Sequence, residues 1–244
     1  SLRRQRQMCI RDRPIVQASV PDMKILQTAP SLVEQVHHAI LAEIAGGNLR
    51  PGERIIQEQL AQKLGISRQP VQQALILLRK QGVLRDAPGR GLLVAPLDLD
   101  HVRQMYDVRA VIEGLAFRKA AENNAARAAA EGPAFIRSGR KAAAGKSFAD
   151  MIAADKAFHD FIYELSGNQL LAPAMEAQWT NTQRVMGEVL MRDDKPRDIW
   201  DQHEALLQAV IAGDGPHAEQ LARQHILDAA QFMIRRLQAE EARA

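Results

Sequence analysis

Along residues 32–44 apolar side chains recur at Val33, Val36, Ile40 and Ile44, the three-and-four spacing of one helix face. The pattern stops at Gly46 and Gly47 within "GGNLRPGE", and "ERI" beyond it predicts a short extended piece. In "IQEQLAQKLGISRQPVQQALILLRKQG" the helical pattern appears twice. The first helix is expected to end near Leu64, with Gly65 making the turn. The second starts after Ser67, a natural N-cap, with Pro70 in the first turn, where its missing N–H does no harm. "VLRDAPGRGLLVAP" then predicts two short strands around a Pro-Gly-Arg-Gly tip. Leu60, Ala61, Leu64, Ile66, Val71, Ala74, Leu75 and Leu78 are the expected core. Helix, helix, tight turn, helix and hairpin make a winged helix-turn-helix.

Beyond Pro96 the period is helical almost throughout, over roughly 99–123, 124–143, 147–166, 168–191, 196–212 and 215–240. Breaks are expected at "EGP", "SGN", "RDDKP" and "GDGP", with Asp214 as an N-cap. No stretch there alternates as a strand, so the fold expected is mainly α: a winged helix-turn-helix over 31–96 and an all-α antiparallel bundle over 97–244. Residues 1–30 have neither period and are read as a disordered or artefactual extension. "MCIRDR" resembles translated sequencing-adapter sequence, which makes Met23 the candidate start; a basic arm touching DNA is the alternative.

Charge divides the chain along the same lines. Residues 1–30 carry +4, residues 31–96 carry +3, and residues 97–244 carry −4. A basic N-terminal module before an acidic one suits contact with a polyanion, whereas ordinary solvated surface charge is the plainer reading. With 46% hydrophobic residues and no apolar run near the roughly 18 residues a bilayer requires, a cytoplasmic protein without membrane contact is expected. Its single cysteine, Cys9, offers neither an internal disulfide nor a thiolate cluster. Any metal site must therefore be built from His, Asp and Glu.

On the second helix of the pair, Ser67, Arg68, Gln69, Gln72 and Gln73 are expected to face outward near the N-terminus. Such side chains reach base edges and phosphates in a major groove, and a helix N-terminus favours phosphate. Arg90, at the wing tip, is placed for the adjacent minor groove or the backbone. A helical hairpin used only for packing is the alternative.

The bundle poses a different problem. Asp155 and His159 stand four apart, on the face that carries Phe148, Ile152 and Ile162. His203 interrupts the stripe Ile199, Leu206 and Val210; His225 interrupts Ala222, Ala229 and Phe232; Arg109 interrupts Val102, Met105, Ile112 and Ala116. Buried polar groups are costly unless something binds them. A single imidazole on such a stripe is more often a hydrogen-bonded core residue. Three with a carboxylate are an inventory for one divalent transition metal, zinc first, with nickel or manganese as alternatives. His37, His38, His101 and His217 lack such partners and are expected at the surface.

These stretches carry a resemblance. "LGISRQPVQQALILLRKQGVL" with "GRGLLVAPL" resembles the DNA-binding domain of GntR-family transcriptional regulators. "YDVRAVIEGLA", "DKAFHDFIYELSGNQLL" and "QHEALLQAVIAGDGPHAEQLARQHI" resemble the FCD effector domain of that family's FadR-type branch, so the likeness covers about residues 31–240. It implies a winged helix before a six- or seven-helix bundle, a homodimer on operator DNA, and a small organic acid as effector. It also implies that Asp155, His159, His203 and His225 are the metal ligands. In one respect the chain departs from the family: Gln72 and Gln73 stand where Arg and Glu are usual, so charge is lost from the recognition helix. Operator affinity, salt dependence and sequence preference are expected to differ accordingly.

A metabolite-responsive transcription factor is thus the leading expectation, and not an enzyme. Four protein ligands leave coordination positions open, and Arg109 can grip carboxylate oxygens, so a hydroxy-, keto- or dicarboxylic acid bridging metal and Arg109 is the expected effector. The rival is a metal-dependent enzyme using the same site. Against it, no second carboxylate is evident beside the four ligands; Glu113, one position off the Arg109 stripe, comes nearest. A merely structural polar core is the third reading, and it predicts folding indifferent to chelators.

Overall fold

The computed structural model describes residues 30–145, 147–190 and 199–241. The extension expected over 1–30 lies almost wholly outside them, as does the "RDDKP" break. From Leu32 on, the chain forms one compact body.

Its N-terminal part comprises α1 (Leu32–Ala45), β1 (Arg54–Ile55), α2 (Gln57–Leu64), α3 (Arg68–Lys80), β2 (Leu84–Asp86) and β3 (Leu92–Val94). The strands form an antiparallel sheet in the order β1-β3-β2, with Leu93 opposite both Arg54 and Arg85. Gly65 ends α2 at φ +66, a left-handed turn that most residues resist, and its N–H returns to the last carbonyls of the helix. Val36, Ile40, Val71, Ala74, Leu78 and Val94 close the core. Leu64, expected among them, is instead 39% exposed, because it falls on the outer side of the last turn of α2. His37, expected at the surface, is half-buried and bonds through Nε2 to Gln81 Oε1 at 2.7 Å, tying α1 to the end of α3.

The remainder is helical: α4 (Leu99–Ala144), α5 (Phe148–Leu165), α6 (Leu171–Leu190), α7 (Trp200–Ile211) and α8 (Gly215–Glu241). Asp214 caps α8 as expected, accepting from the His217 N–H at 3.1 Å. α4 packs against α5, α7 and α8. It bends at Asn124 (φ −142°, ψ 36°), where the side chains of Asn123 and Asn124 donate to the carbonyls of Ser166 and Leu165 at 2.8 and 2.7 Å. These bonds satisfy the end of α5, which explains the bend.

The break expected at "EGP" does not occur, and α4 runs through Pro133. Gly132 is there for space: a Cβ would stand 2.5 Å from Leu207 Cδ1. Packing of Ala128, Gly132, Ile136 and Gly139 on the inner face outweighs the hydrogen bond that Pro133 cannot donate. At Gly139 the Trp200 ring lies where a Cβ would be, 1.9 Å from its Cζ2. Gly139→Ala is therefore expected to destabilise the protein by about 1–3 kcal/mol, as overpacking does. A urea midpoint equal to wild type would mean that Trp200 moves aside freely.

Candidate functional site

α5 carries Asp155 and His159 one turn apart, α7 brings His203 and α8 brings His225; all four are buried. Ring centroids lie 5.4 Å apart for His159 and His203, 4.8 Å for His203 and His225, and 6.0 Å for His159 and His225. Each imidazole offers a nitrogen, and these atoms lie within 4.8 Å of one another, the reach of one ion. Asp155 is outside that group: its Oδ1 stands 3.4 Å from His203 Nε2.

The hydrogen bonds around the cluster are compatible with a metal site. His159 Nδ1 bonds to Glu113 Oε2 at 2.9 Å and His225 Nδ1 to Gln202 Oε1 at 2.9 Å, and each of these bonds fixes the rotation of its ring. Among the described residues His203 has no hydrogen-bond partner at either nitrogen. A fully buried imidazole in that condition fits a ligand better than a packing residue. Burial, then the neighbouring His225, His159 and Arg109, hold it well below the usual histidine range, so it is neutral and able to coordinate. Burial would also lower His159, but Glu113 outweighs it and the pKa rises. Asp155 is raised, by burial first, with His159 and Arg109 working against it.

Glu113 is the site residue that sequence reasoning set aside. Far from being absent, a second carboxylate stands fully buried against His159. It accepts from Arg109 Nη2 at 3.1 Å, bonds His159 Nδ1, and accepts from the Tyr163 hydroxyl at 2.7 Å. Burial acts to raise its pKa, but His159 and Arg109 prevail and bring it down to about 2. Its i,i+4 spacing from Arg109, two opposite charges on one buried helix face, was the available signal.

Arg109 is buried too. Besides Glu113 it reaches Thr182 Oγ1 at 3.3 Å, and its guanidinium lies 4.7 Å from the Trp179 ring centroid. Its Nε has no partner. A cavity of about 300 Å³ opens beside these groups, with Arg109, Asp155, His159, Gln202 and His225 on its polar side and Met151 and Phe232 among its apolar walls. That is the small end of the range for ligand pockets.

At the other end of the protein Ser67, Arg68, Gln69, Gln72, Gln73 and Arg90 are all exposed. Ser67 occupies the N-cap position of α3, although its hydroxyl makes no capping bond. Arg68 pairs with Glu58, and Gln57 Nε2 donates to the Arg68 carbonyl at 3.0 Å, so α2 braces the start of α3. Arg54, which sequence reasoning did not single out, donates from β1 to the backbone carbonyls of Arg90 and Pro88, holding the wing tip from behind.

Two family models match this chain: "Bacterial regulatory proteins, gntR family" over residues 32–94 and "FCD domain" over residues 104–228. The chain belongs to the GntR family of transcriptional regulators, in the branch with an FCD domain. Among its relatives are the HTH-type transcriptional repressor RspR of Escherichia coli K12, 23% identical over 85% of this chain and 90% of that one. Another is a probable D-xylose utilization operon transcriptional repressor of Paenarthrobacter nicotinovorans, 28% identical over 82% and 87%. The solved structure of E. coli McbR/YncC superposes with a TM-score of 0.73 at 23% identity, over 86% of this chain and all of that one, and shows the same fold. Among the described residues no helix of this GntR regulator is long and apolar enough to cross a membrane.

Arg68, at the start of α3 in this GntR regulator, makes an exposed ion pair with Glu58, which is worth little and is readily exchanged for another partner. Arg68→Ala is expected to weaken operator binding by about 1–3 kcal/mol if the side chain pairs with a guanine. Gel-shift titration against the region upstream of the gene reads this, and unchanged affinity would remove Arg68 from the interface.

Proposed function

We propose that this regulator binds a two-fold operator as a homodimer, and that a small carboxylic acid, held beside a divalent transition metal in the helical domain, sets its affinity for DNA. The observation that carries the reading is His203, buried beside two other imidazoles and the Asp155 carboxylate, with neither ring nitrogen hydrogen-bonded among the described residues. His159, His203 and His225 would hold the ion, with Asp155 as the fourth ligand; zinc is the first choice, nickel or manganese the alternatives. The ion would offer open coordination positions to a carboxylate oxygen. Arg109 lines the same cavity, and its Nε–H is left for a second oxygen.

Homodimerisation has two supports. One small winged helix buries too little surface for specificity, and two half-sites double the contacts. Val108, Val111 and Leu115 also form an exposed apolar stripe on α4, fit to meet its two-fold copy.

A route from the cavity to the DNA-reading part runs through α6. Thr182 bonds Arg109, and its neighbours Asn181 and Arg184 donate to the backbone carbonyls of Gln81 and Ala95 in the winged helix. The acid can change operator affinity only by as much as its own affinity differs between the two states. The enzyme reading is weakened by Glu113: a carboxylate with three donors and a pKa near 2 is a poor general base.

Elemental analysis of protein purified without a His-tag is expected to find about one divalent ion per chain. Calorimetry with a panel of hydroxy-, keto- and dicarboxylic acids should then detect one that binds native protein and fails on metal-stripped protein. An acid that changes operator affinity yet binds both forms equally would place its pocket elsewhere. Failure to take up zinc, nickel or manganese would remove the metal.

A further inference from the structure

A second cavity, of about 320 Å³, lies between the winged helix and the bundle, well apart in the chain from the imidazole cluster. Its walls include Arg85 and Ala95 of the winged helix, Asp98 and His101 at the start of α4, and Asn181 and Arg184 of α6. Arg184 is the unusual member. It is only 5% exposed, and among the described residues its one hydrogen bond runs from Nη2 to the Ala95 carbonyl. A guanidinium has five N–H donors, so most of this one's capacity is unspent.

No described carboxylate forms an ion pair with Arg184; Glu188, one turn along, acts on it only at longer range. The acid on the cavity wall, Asp98, is already engaged, its Oδ1 accepting from the N–H groups of Asp100 and His101 at 2.9 and 3.3 Å. Arg109 shows the contrast: an equally buried guanidinium, but supplied with Glu113 at 3.1 Å. Burial lowers the Arg184 pKa to about 10, whereas the carboxylate partner raises that of Arg109. A buried cation whose nearest carboxylate, Glu188, makes no ion-pair contact with it is only partly neutralised, and an anion supplied from solution would complete what Glu188 begins.

We infer that the cavity around Arg184 is a second ligand site, which takes a small oxyanion, carboxylate or phosphate, between the DNA-reading part and the bundle. Arg184 and Arg85 supply the charge, from α6 and from the wing strand β2 respectively. Bidentate geometry at Arg184 suits either oxyanion. An occupant touches both parts of the protein at once, so it would tie the winged helix to the bundle. The inference does not depend on the metal or on the acid proposed for the first cavity.

The test uses the full chain, with inorganic phosphate and succinate as separate titrants against chloride at matched ionic strength. At least one should raise the melting temperature in a concentration-dependent way by about 20 mM, and calorimetry should give its affinity. A response to phosphate alone identifies an inorganic oxyanion site, and a response to succinate alone a carboxylate site. Arg184→Gln is expected to weaken binding at least about tenfold. Arg85→Ala, at an exposed position, is expected to weaken it about threefold and decides the matter should Arg184→Gln fail to fold. His203→Ala should leave binding intact, since that residue belongs to the imidazole cluster and does not line the Arg184 cavity. The inference is overturned by no response to either anion, by full affinity in Arg184→Gln, by full affinity in Arg85→Ala where Arg184→Gln does not fold, or by loss in His203→Ala alone.

Discussion

Glu113→Ala is expected to lower the free energy of unfolding by about 3–5 kcal/mol, the cost of breaking a buried ion pair on one side only. Glu113 is fully buried and takes bonds from Arg109, His159 and Tyr163. Its removal strands the Arg109 guanidinium, already without a partner at Nε, and leaves the Tyr163 hydroxyl and His159 Nδ1 without their acceptor. Urea unfolding should show the midpoint falling with little change in slope. The same variant should bind metal about 10–100-fold more weakly, because the carboxylate that orients His159 is gone. A stability loss under about 1 kcal/mol would mean that Arg109 has found another counter-charge, and that the pair is not central to the fold.

His203→Ala is expected to have the largest effect on metal retention, weakening it by more than the roughly 100-fold that loss of an orienting partner can cause. Its ring lies close to both of the others, with centroids 5.4 and 4.8 Å away, and among the described residues no hydrogen bond competes for its nitrogens. Truncation removes no hydrogen bond among the described residues, only the 3.4 Å approach of Asp155, so the folded state should survive for measurement by competition with a chelator of known affinity. Wild type should lose stability when the chelator strips the metal, and His203→Ala should be indifferent to it. Wild type indifferent as well would support the third reading, in which the polar cluster is a structural core.

How far the sequence carried these conclusions differs between the two halves of the protein. The winged helix was legible almost residue by residue, because its elements are short and their ends carry local signals: Gly65 for the turn, Ser67 and Pro70 for the start of α3, the Pro-Gly-Arg-Gly tip for the wing. Leu64 was misplaced because helical spacing gives a face, and only the packing of α2 decides where that face ends. At "EGP" local rules failed outright. Gly132 and Pro133 end a helix judged by propensity alone, yet contact with Leu207 holds the chain helical through both.

For the bundle, the sequence alone determined that one imidazole would interrupt each of three apolar stripes, and that Asp155 and His159 share one of them. Helical periodicity is a property of neighbours in the chain and can be read there. That the three rings converge within the reach of one ion, that Glu113 turns from a residue beside the stripe into the hub between Arg109, His159 and Tyr163, and that Arg184 is buried with no described carboxylate in ion-pair contact were decided only by the tertiary structure. The reason is physical: each of these facts depends on the rotation and depth at which one helix packs against another. Those are set by side chains such as Leu207 and Trp200 filling spaces at Gly132 and Gly139 on a distant part of the chain.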